Sequence, residues 1–131
     1  MIWLANGDPM SSGAVSAIVS TGLADGIYVS PVAAWEVGLL SRRATGNKPA
    51  PQFLPDPGTW FATFMRGPGI KEAALTAAIA IDAAYLPGTL HSDPGDRLII
   101  AMARHLNAAI VTRDRLIIAY GEAGHARVIP C

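Results

Sequence analysis

The chain has 131 residues, 51% of them hydrophobic and 15% charged, which suits one domain spanning residues 1–131 with a core of useful size. Ten Lys and Arg balance ten Asp and Glu, which excludes a global basic field drawing in nucleic acid; any such binding has to be local, through Arg42, Arg43 and Lys48 or through Arg97, Arg113 and Arg115. A single cysteine, Cys131, excludes an internal disulfide, and no apolar run approaches the ~18 residues of a membrane span, so a cytoplasmic protein without membrane association is expected.

Ser11 and Ser12 offer hydroxyl caps before Ala14, Val15, Ile18 and Val19, which predicts a helix ending near Gly26. A short strand follows over Ile27–Val29. Ser30 then caps a helix with Pro31 at its first position, and the apolar stripe Val32, Trp35, Leu39 and Leu40 carries it to about Arg43. Pro, Gly and Asn make Ala44 to Gly58 a loop, before a short aromatic helix through Trp60, Phe61 and Phe64. Ile70 to Leu75 is expected as a strand, and Thr76 caps an alanine-rich helix that Pro87-Gly88 stops after Leu86. Asp93-Pro94-Gly95-Asp96 opens a helix to about Leu106, followed by a strand from Ala108 to Thr112, a helix from Arg115 to Tyr120 and a strand from Arg127 to Ile129. Strands separated by helical crossovers predict an α/β fold with a mainly parallel sheet covered on both faces. Functional groups then gather at the carboxyl ends of the strands.

Three acidic residues stand at such places. Glu36 lies on the apolar face of its helix, where a carboxylate either reaches out to water or needs a cation or metal partner. Asp93 and Asp96 resemble a capping box; Asp93 suits the cap, whereas Asp96 is short for reaching back, which leaves it open as a ligand. Asp114 ends a strand and either caps the next helix or joins the other two. Thr112 is an ordinary β-branched strand residue or a hydroxyl that orients a carboxylate. A parallel sheet brings Glu36, Asp96 and Asp114 to one end, and oxygen donors of this kind suit Mg²⁺ or Mn²⁺.

Tyr28-Val29-Ser30 followed by Trp35-Glu36, then Asp93-Pro94-Gly95-Asp96-Arg97-Leu98-Ile99, then Val111-Thr112-Arg113-Asp114 resemble, in order and spacing, the motifs of PIN-domain ribonucleases of the VapC toxin type. Leu86-Pro87, His91, Tyr120-Gly121 and Val128 extend the resemblance over nearly the whole chain. It implies a three-layer α/β/α sandwich and Mg²⁺- or Mn²⁺-dependent endoribonuclease activity on RNA. It also implies a homodimer and a cognate antitoxin that blocks the acidic pocket. Carried over, Glu36, Asp96 and Asp114 would be catalytic and bind the metal, Asp93 and Thr112 would support them, and Arg97 and Arg113 would contact phosphate.

The departure is at the start. The family opens with a central strand ending in aspartate, in a motif like LLDTHVLLW, and Met1-Ile2-Trp3-Leu4 resembles only the end of that motif. Asp8, in Gly7-Asp8-Pro9, reads as a turn residue and not as the substitute. The expectation is therefore a sheet without its first strand, from a start set too late or from a degraded copy. The second reading of function is then a catalytically impaired PIN-like protein that binds an antitoxin or a homologous toxin. A nucleotide-binding domain is disfavoured, because neither G-x-x-x-x-G-K-[ST] nor G-x-G-x-x-G occurs.

Overall fold

A computed structural model of the chain describes residues 5–42, 50–89 and 93–131. The expectations placed on Met1 to Leu4, Arg43, Lys48 and His91 lie outside the described residues.

Helix α1 spans Ser12–Ala24, and the Ser11 hydroxyl accepts from Ala14 N–H as its cap. The helix carries no charged residue and buries only Ala14, leaving Val15, Val19 and Leu23 exposed at four-residue intervals. Gly26, with a φ of +86°, turns the chain into strand β1, Ile27–Val29. Helix α2, Pro31–Arg42, buries Val32 and Val37. Trp35, expected in its apolar stripe, is instead 55% exposed. The loop delivers Phe53 edge-on to Trp60 at 4.9 Å, which helps seat helix α3, Pro57–Met65, behind an Asp56 cap.

Strand β2, Ile70–Glu72, is half the expected length. Helix α4 runs Ala77–Ala84 from the Thr76 cap, ending two residues before the expected Leu86. Helix α5, Pro94–His105, is followed by strand β3, Ile110–Thr112, helix α6, Arg115–Glu122, and strand β4, Val128–Pro130. The strands are parallel, as the crossovers demanded: β1 pairs with β2, Ile27 opposite Ile70, and β3 pairs with β4, Ile110 opposite Val128. Among the described residues these are two separate two-stranded ladders, and no described strand joins them into one sheet.

Helix α5 holds the halves together, because it is apolar on two sides. Ala101 and Met102 pack with Val32, Ala73, Ile79 and Ala83, while Ile100 packs with Ile110, Ile117 and Tyr120. Ile99 and Leu86 touch both clusters. Ile100 is fully buried, worth roughly 1.5–3 kcal/mol relative to exposure. The first turn of α5 is thereby fixed against α2, where the acidic residues meet.

Candidate active site

The α5 start is built by Asp93, which is extended (φ −64°, ψ 115°); its Oδ1 accepts from Gly95 N–H at 2.8 Å and Asp96 N–H at 3.2 Å. With Pro94 at the first helical position, this cap contributes on the order of 1 kcal/mol. It sets Asp96 in the first turn, where the unpaired helical N–H groups favour negative charge.

Gly95 is buried between this turn and α2. A Cβ placed on it would lie 3.1 Å from Asp93 Oδ1, 3.5 Å from Val32 Cγ1 and 3.6 Å from Glu36 Oε1, so the Glu36 and Asp93 carboxylates flank one bare backbone position. Glu36 is half-buried, and burial, then the charges of Asp96 and Asp93, push its carboxyl above the ordinary value of 4.5. Glu36 thus lies within electrostatic reach of Asp96 and Asp93 at the α2–α5 junction.

Asp114 takes a different place. Its Oδ1 accepts from Leu116 N–H at 2.8 Å and Ile117 N–H at 3.0 Å, capping α6, and its own N–H donates to the Thr112 hydroxyl at 3.0 Å. Thr112 is a buried polar residue and fixes the turn that carries Asp114. The carboxylates that act most strongly on Glu36 are Asp96 and Asp93, and not Asp114. Among the described residues no three His, Cys, Asp or Glu side chains are grouped to hold a metal ion.

The two arginines are engaged structurally. Arg97 donates from Nε to Ala83 O at 2.9 Å and from Nη2 to Ala84 O at 3.0 Å, at the end of α4. Arg113 Nη2 donates to Pro9 O, tying the strand β3 end to the segment before α1. Sequence reasoning passed over Gly95, although a glycine between two aspartates in a capping turn is the signal of a tight approach.

The profile of the PIN domain family matches residues 1–123. The chain belongs to the PIN domain family. PIN domains are in general metal-dependent nucleases, and the oxygen donors at the α2–α5 junction have the chemistry of such a family, although the described residues supply fewer than three grouped ligands. A solved structure, VapBC2 from Rickettsia felis bound to a DNA fragment from their promoter, contains a chain with the same PIN fold. Its TM-score is 0.64 at 14% identity, covering 98% of this chain and 91% of that one. A search of curated proteins finds no match. No helix among the described residues is long and apolar enough to cross a membrane.

Proposed function

We propose that this PIN domain is a cytoplasmic endoribonuclease toxin that hydrolyses RNA phosphodiester bonds and is neutralised by a cognate antitoxin. The observation that carries this reading is Glu36, a half-buried carboxylate set against Asp96 and Asp93, whose charges oppose its ionisation. Packing alone gives little reason to retain such a group, since a half-buried carboxylate with like charges beside it is costly, whereas a cation would offset that repulsion.

Glu36 and Asp96 are the proposed ligands of a divalent cation, Mg²⁺ or Mn²⁺, with Asp114 the third. When bound, that cation would supply charge stabilisation at the phosphoryl oxygens and a more acidic water. The chain's own residues supply position. Asp93 fixes the turn that carries Asp96, Thr112 fixes the turn that carries Asp114, and Gly95 lets α5 approach Glu36. Arg113 and Arg97, adjacent in sequence to Asp114 and Asp96, are the proposed phosphate contacts, with Arg97 constrained by its bonds to α4.

The test is incubation of the chain with structured RNA and MgCl₂ or MnCl₂, beside Asp96→Asn. Cation-dependent cleavage that is lost in D96N, by on the order of a hundredfold or more, supports the reading. Absence of cleavage by the parent chain, with tight binding to an antitoxin or to a homologous toxin, supports the second reading, an impaired PIN domain acting by binding. That second reading is favoured by one observation, the lack of three grouped metal ligands among the described residues.

A further inference from the structure

Trp35 stands out because its helix is written to bury it and the fold does not. Val32 and Val37 hold α2 to the core, while Trp35 is 55% exposed. Trp35, Gly38 and Arg42 follow one another at three and four residues, which puts them on one strip of the helix. A Cβ placed on Gly38 meets nothing within 4 Å among the described residues, so none of them fills the ground between ring and guanidinium. At about 1.5 Å per residue, Trp35 and Arg42 are separated by about 10 Å along the axis. Glu36, the next residue, is turned about 100° around the helix from Trp35, so the strip lies on a different face of α2 from the carboxylate.

We propose that this strip of α2 is a docking surface for single-stranded RNA, with a base stacked on Trp35 and a backbone phosphate at Arg42. The proposal deepens the ribonuclease reading and rests on it for the identity of the nucleic acid. A flat ring and a cation with open space between them complement a flat base joined to an anionic phosphate, and stacking of this kind tolerates any base. A partner helix would require a continuous apolar strip, and Gly38 and Arg42 provide none. With no net charge to supply a long-range field, the chain has to bind RNA through local contacts, and a ring paired with a cation is one such contact.

The experiment is fluorescence anisotropy with a fluorescein-labelled single-stranded RNA of about twelve nucleotides, the full chain and chelated divalent cations, so that cleavage does not compete. Trp35→Ala is expected to weaken binding on the order of tenfold or more, Trp35→Phe to retain most of it, and Arg42→Ala to lower the salt slope by about 0.7. Trp35→Leu keeps apolar bulk without the aromatic face and is expected to fail as W35A does. Since Trp35 is exposed, melting temperatures should stay close to the parent's. A parent chain that does not bind the probe, or W35A and W35L variants that bind like the parent, overturns the proposal. Cleavage is scored separately. RNA binding through Trp35 without cleavage refutes the ribonuclease reading alone, and cleavage by W35A with parental binding refutes this inference alone.

Discussion

Replacing Arg97 by Ala separates two roles for one guanidinium. In the fold it donates to Ala83 O and Ala84 O, the last carbonyls of α4, which have no partner within their own helix. The bond to Ala83 is partly buried and the bond to Ala84 exposed, so together they contribute on the order of 2 kcal/mol. With an unfolding entropy of about 2.1 cal/mol/K per residue over 131 residues, that corresponds to a melting temperature lower by about 7 °C. Arg97→Lys, whose single ammonium cannot span both carbonyls, should recover no more than about half. The assay is thermal unfolding followed by circular dichroism, paired with the salt dependence of RNA binding. If Arg97 is mainly a clamp, R97A melts early and keeps the parental salt slope. An R97A chain that melts within about 2 °C of the parent while its slope falls by about 0.7 would falsify the clamp and return Arg97 to the phosphate.

The raised carboxyl of Glu36 makes a pH prediction. The folded chain retains a proton on Glu36 after the unfolded chain has released it, so stability falls as pH rises from about the ordinary 4.5 through the raised folded value. Glu36→Gln removes that penalty: without divalent cations, E36Q should melt above the parent at about pH 7.5 and lose the advantage near pH 4, and an equal difference at both would tell against the like-charge cluster. Asp114 has two separable duties. Asn also caps helices, so Asp114→Asn should keep stability and lose cation-dependent cleavage, whereas Asp114→Ala should lose cleavage and about 1 kcal/mol of stability as well. Parental cleavage by D114N would leave Asp114 with the cap alone.

Local signals in the sequence were sound where local chemistry decides. The Asp93-Pro94 start, the Thr76 cap and the parallel crossover pattern all appear as expected, because capping and chain reversal depend on residues within one turn. Strands were over-extended: Ala108 and Ala109 precede β3 and Ala73 to Leu75 follow β2, since apolar character alone does not tell a paired residue from one packed beside a ladder. Periodicity places Trp35 in the apolar stripe, but an indole at the margin of a stripe on a helix held by Val32 and Val37 falls outside the contact. The sequence pattern groups Glu36 with Asp96 and Asp114, whereas the charges acting on Glu36 are those of Asp96 and Asp93, and Asp114 caps α6; which carboxylates face one another depends on how α5 lies against α2. The use of Arg97 was not legible either, because it depends on α5 lying against the last turn of α4, some fourteen positions earlier in the chain.

Helix α1, with no ionic group and with Val15, Val19 and Leu23 facing outward, also governs how the purified chain behaves as a solute. Chains that carry no net charge at neutral pH have no long-range repulsion to keep such strips apart. Colloidal stability is therefore poorest in neutral buffers, where a nuclease assay would ordinarily be run. Moving the buffer away from neutrality or adding Lys or Glu on the outer face of α1 improves solubility without touching Glu36, Asp96 or Trp35.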